Sequence, residues 1–450
     1  MASAVTSLGS SAGRSPGYGV EEVLDRAGTG RFQRRLLGVF GLVWAADAMQ
    51  VIAVGFTAPS IAASFGLTVP QALQTGTAFF LGMLIGAYAF GRLADRYGRR
   101  RILIFTVALD AVFSLASVFA PDFAILLALR FVVGLAVGGT LPVDYAMMAE
   151  FLPARSRGRW LVMLEGFWAV GTVAVAIVAW AANSYGAAEP WRLIFLATAI
   201  PAIIGIFLRF WIPESPRYLL NTGRDDDARQ VFDKVLVANG QARLDKPVRR
   251  DPQPVGGGGI FSAPYLRRSL CILAIWLLVS SAYYGVFTWL PGRLATEGFG
   301  FLRGYGFLIL VALAQLPGYA LAAYGVERWG RRETLIGFLI LSCLGCFLFA
   351  VTLQPGIVTF AVLLMSFALL GTWGALYAWT PELYPTQIRA TGMGTAGAMA
   401  RLGGLLAPTA MAPLIGLGFP VAVGFFAALL FIAVLATVAL KVETRAQAIH

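Results

Sequence analysis

Long apolar runs constrain this chain more than any other feature of its sequence. Twelve such runs alternate with short segments rich in Arg, Gly and Pro, and each has about the 20 residues that a helix needs to cross a bilayer core. Their approximate bounds are 36–60, 73–91, 102–120, 123–149, 160–182, 191–212, 269–291, 305–325, 334–353, 357–380, 392–415 and 419–440. The alternating ten-residue pattern of a membrane β-barrel is absent. The runs therefore predict an all-α membrane protein with twelve transmembrane helices.

Composition and charge agree with this prediction. Hydrophobic residues make up 58% of the 450 residues, charged residues only 13%, and the mean hydropathy is +0.75, which excludes an ordinary soluble domain. The net charge of +12 is spread over alternate loops, so a nucleic-acid partner is not expected. Of 35 Lys and Arg, 29 lie in the two tails and the even-numbered loops, three in odd-numbered loops and three within runs. By the positive-inside rule, both termini are predicted to be cytoplasmic.

The chain divides into five segments. Residues 1–35 lack an apolar core with a cleavage site and are predicted to be a disordered cytoplasmic tail. Residues 36–212 and 269–441 are predicted to be two six-helix bundles. The polar segment 213–268 between them is expected to form short amphipathic helices, one of which begins at the acidic run Asp225–Asp227. Residues 442–450 form the C-terminal cytoplasmic tail.

The two bundles repeat one another in sequence. The segment from Asp95 to Arg100, DRYGRR, recurs from Glu327 to Arg332 as ERWGRR, a shift of 232 residues. The segment EFLPARSR from Glu150 recurs with the same shift as ELYPTQIR from Glu382. Two motifs that share one offset indicate two related halves, an arrangement in which a solute site lies between halves that rock against each other.

The motif GRLADRYGRR, residues 91–100, resembles the signature of the major facilitator superfamily after its second span. The segment PESPR, residues 213–217, resembles the sugar-porter and organic-ion branches. The stretches 44–50, 164–171, 283–291 and 373–385 are similar to bacterial nicotinate transporters and to synaptic-vesicle-protein relatives. This resemblance implies the major facilitator fold, a monomer, and a multi-pass location in the plasma (inner) membrane. Gln50 stands where that branch would carry a second acid in its first span.

Three buried charges are candidates for proton coupling. Asp47 in the first run and Arg130 in the fourth are costly in a bilayer unless they face a partner or a cavity. Ionised Asp47 is expected to pair with Arg130, and protonation would release the pair. A permanent structural brace is the alternative reading. Asp144 is a second candidate proton site. Asp110 is expected to bond hydroxyls such as that of Ser114, and Glu165 to join the charges at the cytoplasmic end.

Charged residues at the helix ends of both halves predict a cytoplasmic gate held by ion pairs between the bundles. Isolated exposed pairs contribute only about 0–1 kcal/mol, but the repetition in both halves favours a gate over simple surface anchoring. The predicted gate residues are Asp95, Arg96, Arg99, Glu150, Arg157, Glu214, Glu327, Arg328, Arg331, Glu382 and Arg389.

The second half offers a binding site for an anion. Arg401 is the one charge within its apolar runs, and a buried guanidinium requires a negative partner. The apolar runs of the same half also carry aromatic rings and hydrogen-bonding side chains of the kind that line ligand pockets. The predicted substrate-binding residues are Arg401, Tyr283, Tyr284, Trp289, Gln315, Trp373, Tyr377 and, from the first half, Trp168.

These features predict a secondary active transporter with proton-coupled uptake of a nicotinate-like or other small organic acid by alternating access. A sugar or organic cation is the alternative solute, and a membrane receptor or sensor without transport is the alternative class. An enzyme is not expected, because the only histidine is His450 and no phosphate-binding loop or metal-ligand spacing is present. No cofactor or metal is therefore predicted.

Overall fold

The computed structural model describes residues 17–249, 259–296, 305–352, 354–416 and 419–445, and nearly all of them are helical. The first half contains two short helices, five long helices and one long helix that is broken in two. Their bounds are α1 Val20–Ala27, α2 Arg31–Phe65, α3 Val69–Ala72, α4 Gln74–Tyr97, α5 Arg99–Val118, α6 Phe123–Glu150, α7 Arg157–Glu165, α8 Phe167–Ser184 and α9 Pro190–Arg209. Helices α7 and α8 together form the fifth long rod, broken at Gly166.

Two short helices and six long ones follow. Their bounds are α10 Pro216–Asn221, α11 Asp225–Ala238, α12 Ala263–Thr296, α13 Tyr305–Arg328, α14 Arg331–Val351, α15 Pro355–Trp379, α16 Thr386–Gly416 and α17 Phe419–Ala439. A 3-10 turn over Thr380–Leu383 follows α15. Helix α11 begins at Asp225, where three acidic side chains in the first turn oppose the positive end of the helix dipole.

The all-α prediction is confirmed. Within the described residues, ten helical rods are long and apolar enough to cross a membrane. Helices α13 and α16 lie at the predicted eighth and eleventh spans, and complete a set consistent with twelve. Several helices, among them α2, α12 and α16, are longer than the predicted apolar runs because their ends include charged residues that the hydropathy pattern leaves out.

The repeat extends through the whole architecture. Helices α2, α5 and α6 begin at Arg31, Arg99 and Phe123, and their counterparts begin 232 residues later at Ala263, Arg331 and Pro355. Each half packs its equivalent helices together, α4 on α6 in the first and α13 on α15 in the second.

Glycines allow the helices to approach closely at equivalent points of the two halves. A Cβ at Gly86 of α4 would lie 2.0 Å from the carbonyl oxygen of Leu135, and one at Gly318 of α13 would lie 2.2 Å from that of Phe367. Gly318 is the repeat counterpart of Gly86. Between the halves, a Cβ at Gly394 of α16 would lie 2.2 Å from the carbonyl oxygen of Ala87. Glycines thus let the backbone of α4 come into direct contact with the neighbouring helices, a mode of packing that is common in membrane proteins.

The first and last described residues, Gly17 and Arg445, lie with α1, α10 and α11 at one end of the molecule, here called the terminal end. Part of the tail predicted to be disordered is helical there. Helix α1 buries Val20, Val23, Leu24 and Ala27, whose spacing of three and four residues gives it one apolar face. Asn239 after α11 donates a hydrogen bond of 2.9 Å to the carbonyl oxygen of Ala27, so the tail is held against the loop between the halves.

Candidate functional site

A small cavity lies between the two halves. Helices α7 and α8 of the first half and α12, α15 and α16 of the second half supply its walls. Its volume is about 20 Å³, room for roughly one water molecule. It is lined by Glu165, Trp168, Tyr283, Tyr284, Leu370, Trp373, Tyr377, Ala400 and Arg401. Six of the eight predicted substrate-binding residues therefore lie around one cavity.

Aromatic rings form most of the cavity walls, and they pack against further rings that lie behind them. The ring centroids of Trp276 and Tyr377 are 4.7 Å apart, and those of Trp276 and Trp373 are 5.3 Å apart. Tyr377 also meets Tyr145 of the first half, with centroids 4.5 Å apart. Such pairs add stability beyond their buried area, so they help to hold Trp373 and Tyr377 in place at the cavity wall.

Hydrogen-bond donors without partners point to a ligand in this cavity. Arg401 is 3% exposed, and its Nη1 donates to the carbonyl oxygen of Gly397 at 3.3 Å. Its Nε, like the Nε1 of buried Trp168, has no hydrogen-bond partner. A buried donor left unsatisfied costs about 1–3 kcal/mol, so a solute that accepts these bonds would recover that cost.

Glu165 also faces the cavity, although the sequence suggested that it would join the charges at the helix ends. Its two carboxylate oxygens accept hydrogen bonds from Tyr145 at 2.6 Å and Tyr319 at 3.3 Å. Helix α7 begins at Arg157, which places Glu165 eight residues, or about 12 Å, into the bundle. The apolar run began only at residue 160, so Glu165 seemed closer to the helix end than it is.

Two predicted substrate residues are not among those that line the cavity. Gln315 of α13 is buried with an unpartnered Oε1, but it does not belong to the cavity wall. Trp289 lies within α12, and its side chain is outside the described residues.

The predicted proton-coupling residues lie within the first half, away from this cavity wall. Arg130 donates from Nη1 to Oε1 of Gln50 at 2.8 Å, and its guanidinium lies 4.5 Å from the ring of Phe195. Gln50 in turn donates to Asp110 at 3.3 Å, which also accepts from Ser114 at 2.8 Å, as expected. Asp47 and Asp144 are both buried. The pairing of Asp47 with Arg130 stays a prediction.

Glu150 holds the two halves together at the terminal end. It is fully buried and pairs with Arg99 of α5 at 2.6 Å and with Arg389 of α16. Its repeat counterpart Glu382 pairs with Arg331 at 3.0 Å within the second half. Because Arg389 belongs to the second half, its pair with Glu150 crosses the boundary between the bundles, whereas the pair with Arg99 lies within the first half.

Two further acidic residues accept backbone hydrogen bonds across the same boundary. Asp95 of α4 accepts from the backbone N–H of Thr391 in α16 at 2.7 Å. Its repeat counterpart Glu327 of α13 accepts from the backbone N–H of Arg159 in α7 at 2.8 Å. Arg159 is itself the counterpart of Thr391. The two halves therefore meet through the same contact made twice.

The remaining predicted gate residues have less direct roles. Arg157 donates from Nη2 to Glu21 of α1 at 2.9 Å, and Glu214 accepts from the backbone N–H of Arg99 at 3.1 Å. Arg96 and Arg328 are exposed.

Glu443, after α17, accepts from the backbone N–H groups of Arg331 and Arg332 much as Glu214 does from those of Arg99 and Arg100. Burial raises the pKa of Glu443, but these hydrogen bonds outweigh it and the net pKa lies below the usual value.

Comparison with known proteins gives the same architecture. The chain is 37% identical over 383 residues to the niacin transporter NiaP of Acinetobacter baylyi, which covers 84% of this chain and 86% of that protein. It is 29% identical over 455 residues to the synaptic vesicle 2-related protein of Rattus norvegicus, covering 96% and 82%. The proton:xylose symporter XylE of E. coli, solved with bound 6-bromo-6-deoxy-D-glucose, superposes with a TM-score of 0.76 at 18% identity, covering 93% and 98%.

The sequence profile of the Major Facilitator Superfamily matches residues 38–408 and 304–449. The twofold repeat, the contacts between the halves and the cavity between them agree with the fold of this superfamily. The resemblance stated from the sequence is therefore confirmed. The chain is a multi-pass membrane transporter and belongs to the Major Facilitator Superfamily.

Proposed function

We propose that this transporter carries a small aromatic carboxylate such as nicotinate, by alternating access and with uptake driven by protons. The observation that carries the proposal is Arg401, a buried cation with an unpartnered Nε that faces a ring-walled cavity between the halves. The similarity to a niacin transporter over most of both chains supports the same substrate class.

The cavity chemistry suits a flat anion. A guanidinium donates two parallel hydrogen bonds to a carboxylate, and charge-assisted bonds of this kind are the strongest that a neutral-pH site offers. Trp168 adds a third donor, and Trp373 and Tyr377 provide surfaces for a planar ring.

The contacts at the terminal end and the size of the cavity support alternating access. A volume of about 20 Å³ cannot hold an aromatic acid, so the walls must move apart for binding. The pairs made by Glu150 and the backbone bonds accepted by Asp95 keep the halves together at the terminal end, which the distribution of basic residues predicts to be cytoplasmic. Breaking these contacts would open the cavity to that side.

An organic cation is the second candidate solute, because the carboxylate of Glu165 lies in the same cavity as Arg401. An uncharged sugar would use the same hydroxyl and indole groups without engaging either charge. Binding experiments separate the three classes.

Arg401→Ala is expected to weaken nicotinate binding by about tenfold to 150-fold. The variant removes the charge-assisted hydrogen bonds to the ligand carboxylate, which contribute about 1.5–3 kcal/mol. Arg401→Lys should retain part of the affinity, because it keeps the charge but loses the two parallel donors. Isothermal titration calorimetry on the purified protein measures all three affinities.

Nicotinamide is the matched control ligand, because it has the same ring without the negative charge and should be affected much less. Equal nicotinate affinity in the wild type and in Arg401→Ala would contradict the proposed anion site. Wild-type binding of an amine or a hexose, with no binding of any carboxylate, would assign the protein to one of the alternative solute classes.

Glu150→Gln is expected to shift the transporter toward the state open at the terminal end. The variant leaves Arg99 and Arg389 without their shared negative partner, a change of about 1–3 kcal/mol in the equilibrium between states. A cysteine at position 400 in the cavity wall, in a background without Cys271, Cys343 and Cys346, reports the change as faster labelling by a membrane-impermeant maleimide from that side.

Glu382→Gln is the matched control, since the ion pair of Glu382 with Arg331 lies within one half. It should change labelling much less than Glu150→Gln. Identical labelling in the wild type and in Glu150→Gln would show that these pairs do not hold the closed state.

A further inference from the structure

Among the described residues that line the cavity, one carries a carboxyl group and one carries a guanidinium group. Glu165 belongs to α7 of the first half, and Arg401 belongs to α16 of the second half. Both are 3% exposed. A buried charge in a membrane protein is costly unless an opposite charge balances it, so each residue reduces the cost of the other in the substrate-free state.

The surroundings of Glu165 suit either protonation state. Tyr145 of the first half and Tyr319 of the second half each donate a hydroxyl to one of its oxygens. A protonated carboxyl keeps one acceptor oxygen and gains a donor, and a tyrosine hydroxyl can accept as well as donate. The bond from Tyr319 also crosses between the halves, so movement of one half against the other changes the contacts of Glu165.

Glu165 is the one carboxyl group among the described residues that line this cavity. The other titratable or charged groups that face it are Tyr145, Tyr283, Tyr284, Tyr319, Tyr377 and Arg401. Tyrosine normally ionises near pH 10 and arginine stays charged at all ordinary pH values. The acids of the neighbouring helices α2 and α6, Asp47 and Asp144, are not among the residues that line the cavity.

We propose that Glu165 carries the coupled proton, and that a substrate carboxylate bound to Arg401 is what makes Glu165 take it up. This inference rests on the proposed function. The substrate anion takes the positive charge that balanced Glu165, and a proton from the water on the open side then neutralises the Glu165 carboxylate. One proton and one monovalent anion enter together, and the charge of the closed cavity is the same with and without them.

Glu165→Gln tests the inference, because a neutral amide imitates the protonated acid: its oxygen accepts from one tyrosine hydroxyl, and its NH2 group donates to the oxygen of the other. Calorimetry of nicotinate binding in buffers of different ionisation enthalpy should show uptake of about one proton per nicotinate bound in the wild type and none in the variant. In proteoliposomes, Glu165→Gln should lose accumulation driven by a proton gradient but keep exchange of nicotinate across the membrane. Glu165→Asp should restore part of the accumulation, which a merely structural role would not predict.

Asp47→Asn and Asp144→Asn are the comparison variants, and both should retain proton uptake on binding. Undiminished proton uptake in Glu165→Gln, or its loss in Asp47→Asn or Asp144→Asn alone, would overturn the assignment to Glu165 and leave the proposed substrate intact. Absence of nicotinate binding in the wild type would instead overturn the proposed function, and this inference with it.

A second, independent observation concerns a cavity of about 920 Å³ on the surface at the terminal end. Helices α2, α5, α10 and α11 and the segment that follows α9 border it, and its charged residues are Arg35, Arg100, Arg101, Glu214, Arg224, Asp227 and Lys234. Both acids are already engaged: Glu214 accepts from the backbone N–H of Arg100, and Asp227 pairs with Arg224 at 2.7 Å. Arg35, Arg101 and Lys234 remain exposed at its rim.

The same cavity borders the surface that faces the bilayer. Phe210 and Trp211 at the end of α9 are 57% and 83% exposed, and both line it. Arg101 lies one turn from Phe105, which is also exposed on α5. Exposed aromatic residues next to basic ones mark the level of the lipid headgroups.

We infer that this surface cavity binds an anionic phospholipid, with the headgroup phosphate near Arg35, Arg101 and Lys234 and an acyl chain along Phe210 and Trp211. Native mass spectrometry of protein reconstituted with phosphatidylglycerol and phosphatidylcholine should show retained phosphatidylglycerol in preference to phosphatidylcholine. Replacing the three basic residues by Gln should reduce that preference about tenfold or more.

A control variant with Gln at Arg34, Arg243 and Lys246 has the same loss of charge outside the cavity and should keep the preference. Equal loss in the two triple variants would indicate a general charge effect and overturn the site. Binding of inorganic phosphate without preference for phosphatidylglycerol would show that the cavity recognises a free anion rather than a lipid.

Discussion

Buried charge is the constraint on which the rest of this structure depends. A bilayer-spanning bundle can keep an ionised side chain only where a partner neutralises it, and Glu150 meets that condition with one arginine from each half. The ion pairs of Glu150 therefore offset the cost of burying its charge and also join the two bundles. Repeated backbone contacts at Asp95 and Glu327 add to these ion pairs, so acidic side chains hold the two halves in contact at this end of the molecule.

Much of this organisation was readable in the sequence. The hydropathy pattern located every long helix, because a membrane requires long apolar segments with internal backbone bonds. The offset of 232 residues predicted the equivalence of the halves, and it holds for whole helices and for single glycines such as Gly86 and Gly318. The aromatic residues of the second half were predicted together with Arg401 as a ligand site, and most of them lie around one cavity.

Other features depend on tertiary contacts that no local pattern contains. The depth of Glu165 was misjudged because helix α7 begins within a charged segment that hydropathy excludes. Arg130 donates a hydrogen bond to a neutral amide, Gln50, which attracts no attention in a search for ion pairs. Helix α1 does carry an apolar spacing, but it is only eight residues long, and such a helix is stable only when another surface covers it.

Helix α1 makes the two halves unequal in one respect. Arg157 and Arg389 are repeat counterparts, but their acidic partners differ. Arg389 pairs with Glu150 of the opposite bundle. Arg157 and Arg217 both pair with Glu21 of the N-terminal tail. A segment outside the membrane domain thus supplies a charge that the bundle itself needs. Shortened or N-terminally fused versions of this protein would differ from the native chain in the electrostatics of the bundle as well as in length, and the tail should be counted as part of the transport domain.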